Sequence, residues 1–286
     1  MGQAKRKRVR AIARFQELAD LFNDLGITSR DPGFYDDPHF MAAESDDPRF
    51  LENYAEWVNL RPRSAEYDDH VRHIVPRLAQ MVFAKVEALG QHGRCVDASN
   101  LLSRSLDRLG VWNYIAVGGF NVGLTAFPKL ERRYFWVVDE LDEGAGQLGH
   151  IWVVAPPFPI VDVTIKVQGW NPDFERAMPD FIASETCKHI RMDVQDMVAN
   201  EFLYQFAQQN AGRVPNDLHL QMRPYLRDFE QVFPGVAVKT IHIQARYLPT
   251  GIRASLEPLQ DLFAGDGTKF WNEVVAPNFD KNLITD

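Results

Sequence analysis

Cysteine is almost missing from this chain: Cys95 and Cys187 are the only two among 286 residues. Two thiols are too few for a disulfide framework and lack the paired spacing of a zinc site. The expectation is therefore reduced thiols, a cytoplasmic location and no bound metal. No apolar run approaches the roughly 20 residues that a membrane-spanning helix needs, so no membrane partner is expected. The first residues, "MGQAKRKRVRAIARF", lack the apolar stretch and small-residue cleavage site of a secretion signal. Also missing are a Walker lysine motif, a dinucleotide-binding glycine fingerprint and a zincin helix. The isolated "GAG" and "GGF" segments are too short to cradle a phosphate, and no cofactor is expected. There is no low-complexity linker, and the longest repeat is the pair "DDPHF" and "DDPRF", from Asp36 and Asp46.

What is present suits a globular chain: 45% of the residues are hydrophobic, ample for a core. The net charge of -8 argues against general nucleic-acid binding. Charge is uneven, however, because Lys5, Arg6, Lys7, Arg8, Arg10 and Arg14 all precede the first acidic residue, Glu17. Such an arm could touch RNA, anionic lipid or an acidic partner, and a solvated terminus is the simpler explanation.

Spacing along the chain predicts the elements. Ile12, Phe15, Leu18, Ala19, Phe22 and Leu25 recur every three or four residues, as in an amphipathic helix stopped by Gly26. Each DDP stretch suits a helix cap with Pro in the first turn. A cation site there is discounted, since no Gly-containing loop joins the pairs. A helix is expected over 69–89, kinked or restarted at Pro76. His70 and His73 lie one turn apart in it, without further ligands for a metal. The next helix opens at Cys95 and buries Ala98, Leu101, Leu102, Leu106 and Leu109 before Gly110. Strands are expected over 111–120, 132–138, 150–155 and 160–165, which are rich in β-branched and aromatic residues. One helix followed by an antiparallel meander is the arrangement implied. Helices are expected again over 192–208 and 218–233, with a strand over 236–248.

Cys95 stands where a thiol could react. Unpaired N–H groups and the dipole at a helix start stabilise S⁻. His150 opens one strand and Asp162 lies in the next, across the turn "APPFP". If those strands pair, both side chains project from one face, and Asp162 can accept a ring N–H of His150. An Asp inside a β-branched strand needs such a partner if it is buried. Cys187 in "ETCKHI", two residues before His189, is a rival nucleophile. It is set aside on the expectation of a helix, where residues two apart diverge.

These segments, "GRCVDASNLLSRSLDRLGV" (93–111), "GHIWVV" (149–154) and "IVDVT" (160–164), resemble the nucleophile helix, His-x-Trp strand and Asp-x-Thr strand of the transglutaminase-like superfamily, a branch of the papain-fold cysteine enzymes. The resemblance covers roughly 91–168. It implies an α+β fold whose core is a transglutaminase-like or papain-like nucleophile helix packed on an antiparallel sheet. It also implies Cys95 as nucleophile, His150 as general base and acid, and Asp162 as its orienter. Where many members carry an aromatic residue before the cysteine, this chain has Gln91 and His92. Gln91 is the oxyanion-hole candidate, at a shorter spacing than in papain-like enzymes.

Three regions are expected: 1–90, helical with the basic arm; 91–168, the catalytic core; and 169–286, mostly helical with at least one strand. The function implied is cysteine-dependent acyl transfer, by default hydrolysis of an amide or peptide bond through a thioester. Its partner would be a protein or peptide substrate, or a small amide. The alternatives are a catalytically inert scaffold of the same fold and an arylamine N-acetyltransferase, whose double glycine and aromatic around the cysteine are missing from "QHGRCVD". The loop "DELDEGAGQLG" (139–149), with four carboxylates, is an acidic hairpin loop or a rim selecting cationic substrates. No sustained heptad pattern points to a coiled-coil oligomer.

Overall fold

The computed structural model describes residues 2–90, 93–126, 133–135, 149–254, 258–259, 262–263 and 265–279. The first helix, α1 (Gln3–Asp24), buries Leu18 and Phe22 completely. Its buried stripe is narrower than the spacing predicts, since Ile12 remains 61% exposed. Gly26 ends it in the left-handed region, φ +73°. In α2 (Pro38–Asp46), Asp37 caps the helix by accepting from the His39 N–H at 2.8 Å. The second DDP stretch behaves differently. Asp47 accepts from the Arg49 N–H within a turn, and α3 (Leu51–Leu60) starts beyond it without a side-chain cap.

Ser64 caps α4 (Ala65–Ala88), which therefore starts before the expected boundary and continues through Pro76. Then α5 (Cys95–Arg108) opens at the cysteine, and all five predicted core residues from Ala98 to Leu109 are fully buried.

The strands β1 (Tyr114–Leu124), β2 (Arg133–Phe135), β3 (His150–Ala155) and β4 (Phe158–Asp162) follow. Only residues 133–135 of the expected 132–138 strand are described. Past the short α6 (Pro172–Ala177) come β5 (Ile182–Ser184) and β6 (Lys188–Ile190). The helix expected over 192–208 is two, α7 (Val194–Met197) and α8 (Asn200–Gln209), separated by an extended Val198. The helix expected over 218–233 is also split, into α9 (Leu218–Met222) and α10 (Leu226–Val232). Arg223 stands outside the helical region, at φ -132° and ψ 76°, before Pro224, whose ring disfavours the helical conformation at the preceding residue.

The strand expected over 236–248 is a hairpin of β7 (Gly235–Lys239) and β8 (Ile243–Arg253). The alternating apolar residues run through the turn, which Thr240 closes by accepting from the N–H groups of His242 and Ile243. The last described α-helix, α11 (Gly267–Phe270), runs on into a π-helical turn, Trp271–Val275, and a 3-10 turn, Ala276–Asn278. Among the described residues, no helix is long and apolar enough to cross a membrane.

All strand pairs are antiparallel, in the order β5-β4-β3-β1-β8-β7-β6, with β2 added to β1. Four of the eight described strands, β5 to β8, therefore come from the C-terminal region. Only residues 185–187 join β5 to β6, the two ends of the seven-strand path. A flat sheet would set those ends about 29 Å apart, whereas four Cα steps reach about 14 Å. The sheet must curl.

Alternation divides the core. Ile115, Ile151, Val153 and Val161 pack with α4 and α5. Ala116, Trp152, Ile160 and Tyr247 belong to the opposite cluster, which continues into the aromatic core of α1 to α3 around Phe22, Phe34 and Trp57. The glycines of "GGF" serve close packing. A Cβ at Gly118 would lie 2.0 Å from the Leu248 carbonyl oxygen, and one at Gly119 would lie 2.5 Å from that of Asp196.

Candidate active site

Cys95 is the first residue of α5, and no side chain caps that helix. The residue two before it, Gly93, donates its N–H to the Val167 carbonyl at 3.2 Å. This bond ties the approach to Cys95 to the turn that follows β4. The cysteine is 9% exposed.

A single extra residue decides which way Asp162 points. Near the turn Ala155 pairs with Phe158, and farther along Val153 pairs with Val161. The turn pairing carried straight along both strands would set Asp162 opposite Ile151, on the face turned away from His150. The bulge in β4 shifts the register by one and brings Asp162 opposite Trp152, on the face that His150 shares. His150 Nε2 and Asp162 Oδ2 then lie 2.7 Å apart, both side chains fully buried.

The carboxylate has partners on both oxygens. Oδ1 accepts from the Thr164 N–H at 2.9 Å and the Thr164 hydroxyl at 3.2 Å. Oδ2 accepts from the Tyr247 hydroxyl at 2.9 Å, beside the imidazole. Gln168 donates to the Thr164 hydroxyl in turn, at 3.0 Å. A buried carboxylate so completely bonded stays ionised. Burial pushes its pKa up, and His150 with these donors more than offsets that, so Asp162 lies below the ordinary carboxylate value.

Aromatic rings enclose the imidazole: Phe120 and Phe135 stand 4.7 and 6.0 Å from it between centroids, and Trp152 is stacked at 6.3 Å. Burial opposes the charged ring. The Asp162 carboxylate, and after it the Cys95 thiol, outweigh that opposition and raise the His150 pKa from 6.5 to about 10. Cys95 is thus near enough to act on the protonation of His150. The second ring nitrogen, Nδ1, makes no hydrogen bond of regular geometry, so the sulfur is a close neighbour of the ring without a formed N–H···S bond.

Of the residues singled out in the sequence, His150 and Asp162 meet directly, and Cys95 stands beside them electrostatically. Gln91 and His92 lie outside the described residues, as do residues 139–148 of the acidic loop. The helical environment expected for Cys187 is corrected: the residue directly precedes β6, in extended chain, because the segment pairs with β7. Cys187 and His189 accordingly line the same cavity, and burial pushes the Cys187 thiol pKa up. His70 and His73 do not converge. His70 Nε2 lies 3.0 Å from the Leu109 carbonyl oxygen, and His73 Nε2 lies 2.6 Å from Arg77. Among the described residues no group of three or more His, Cys, Asp and Glu could hold a metal ion.

Tyr247 is the member of the site that the sequence did not reveal. It comes from β8, 85 residues beyond Asp162, and nothing local marks it. Thr164 was visible as part of "IVDVT", though its double contact with the carboxylate was not.

Comparison with protein-family models, curated proteins and solved structures finds no match to this chain.

Proposed function

We propose that this protein is a cysteine-dependent acyl-transfer enzyme of transglutaminase-like type, which hydrolyses an amide or peptide bond with Cys95, His150 and Asp162. The observation that carries the proposal is the fully buried His150–Asp162 pair beside Cys95 at a helix start, with an imidazole biased toward its charged form. An imidazolium next to a thiol favours the thiolate, as does the dipole of the helix.

In the proposed reaction the Cys95 sulfur attacks the carbonyl carbon, a C–S bond forms, and the carbonyl π pair moves to oxygen. Collapse of the tetrahedral intermediate breaks the C–N bond, and the departing amine takes the proton held by His150. A thioester remains. Water then attacks it while His150 accepts the water proton. The second collapse expels the sulfur and leaves a carboxylic acid. Asp162 orients the imidazole throughout and stabilises its charge.

The inert scaffold is the competing reading, favoured by the burial of the site: Cys95 is 9% exposed and His150 0%. The deciding measurement is iodoacetamide alkylation of Cys95 and Cys187 between pH 6 and 9, resolved by peptide mass spectrometry, in wild type and His150→Gln. The proposal expects Cys95 to react faster than Cys187 at pH 6 and to lose that advantage without His150. Equal pH profiles for Cys95 in the two proteins would leave the scaffold.

A further inference from the structure

We infer that the curled sheet carries a second binding site, for a small aromatic anion, separate from Cys95 and His150. A cavity of about 580 Å³ lies on the sheet face that holds Trp152, within the size range of small-molecule sites, ~300–1,000 Å³. Its floor is made by Tyr114 and Ala116 of β1, Trp152 and Val154 of β3, and Val236 of β7. Pro156, Pro157, Pro159, Pro234 and Pro249 stiffen the wall, since a fixed φ leaves little to order when a ligand enters. Neither Cys95 nor His150 reaches this cavity.

The charges around it select an anion. Lys7, Arg63, His189 and Glu185 are the ionisable side chains of the wall, apart from the tyrosine and thiol. Glu185 is already held by Arg72, which donates to both carboxylate oxygens at 3.0 Å. Arg63 is matched by Asp68 at 2.8 Å. Lys7 has no ion-pair partner among the described residues, so its charge is the one left for a ligand. Tyr114 adds a donor: its oxygen accepts from Asn59 at 3.0 Å, which leaves the hydroxyl proton to donate. An aromatic carboxylate matches this layout, with its ring over Trp152 and its oxygens toward Tyr114 and Lys7.

The test uses the full chain, with 2-naphthoate as probe and its neutral counterpart 2-naphthamide as control. Cys187 lines the cavity half-buried, so a seated ligand shields it, and iodoacetamide labelling read by peptide mass spectrometry separates Cys187 from Cys95. Saturable protection by 2-naphthoate is expected, slowing Cys187 labelling about tenfold, with 2-naphthamide needing about fivefold higher concentration. Ala116→Trp fills the floor and should abolish protection, and because Ala116 is 1% exposed the added ring should also lower the urea midpoint. Should that variant fail to fold, Lys7→Glu on the exposed part of α1 still decides: 2-naphthoate weakens about fivefold and 2-naphthamide does not. Equal protection by both compounds, or unchanged protection in Lys7→Glu, overturns the anion. Absence of protection by either compound overturns the site. None of these outcomes bears on Cys95, whose alkylation tests the proposed reaction separately.

Discussion

Tyr247 and His150 converge on one oxygen of Asp162: the tyrosine hydroxyl lies 2.9 Å away and the imidazole Nε2 2.7 Å, from β8 and β3 respectively. Strand β1 separates those two strands in the sheet. The orientation of the histidine is therefore set by three separate parts of the chain.

Tyr247→Phe should retain the packing of the ring and remove one donor from a buried carboxylate. The expected stability loss is about 1–3 kcal/mol by urea unfolding. The informative readout is the pH profile of Cys95 alkylation. If Tyr247 positions the pair, the profile shifts; a purely structural tyrosine lowers the urea midpoint and leaves the profile unchanged.

Removing a member of the pair is more severe. His150→Ala leaves Asp162 buried with its largest stabilising charge gone, and the expected loss is about 3–5 kcal/mol. Asp162→Asn keeps the shape and should cost less. Comparison of their urea midpoints at pH 7 checks the order, and the reverse order would contradict the assignment of charge to the pair.

The same pair fixes a pH dependence. His150 has a folded pKa raised from 6.5 to about 10, so its contribution is complete below 6.5 and is lost as pH rises toward 10. Asp162 is lowered from 3.8, so its contribution is present above that value and is lost as pH falls through the folded one. Wild type should lose urea resistance between pH 7 and 10 relative to Asp162→Asn. A constant difference across that range would disprove the linkage.

A second buried carboxylate runs the other way. Burial raises Asp107 to about 7, against the hydroxyl of Tyr35, Arg104 and Asn113, which favour its charge. Burial favours its protonated form, so stability falls as pH rises from 3.8 toward 7. Tyr35 donates to it at 2.8 Å and joins the segment after α1 to the end of α5. Hydrogen-exchange protection factors near Tyr35 should fall between pH 5 and 8 in wild type and vary less in Asp107→Asn.

Gly118 pairs with His150 across β1 and β3, and its missing Cβ makes room for the backbone of β8. Gly118→Ala should therefore cost more than about 3 kcal/mol, because the atom it meets is a carbonyl oxygen that cannot rotate away. Thermal unfolding measures it. The register of β1 against β8 shifts between Val117 and Gly118; a small loss would mean that this irregularity relaxes, and Cys95 alkylation would then show whether His150 moved with it.

The sequence by itself determined the local elements and their chemistry. The three- and four-residue apolar spacing after Cys95 gave α5, since a helix buries only one stripe, and the five predicted core residues are buried. Strand β3 is likewise legible in "HIWVVA", with the boundaries expected. An aspartate inside β-branched residues needs a partner if it is buried, and the structure buries it with His150 as that partner. What tertiary structure alone decided is register and distant pairing. A one-residue bulge in β4 chose the face for Asp162, and no composition marks where a ladder slips. The hairpin of β7 and β8 hid in continuous alternation because a threonine side chain, without Gly or Asn, closes its turn. Tyr247 and the curl of the sheet arise from contacts between residues far apart in sequence. Local spacing specifies what a segment can bury; only the assembled sheet specifies what it is buried against.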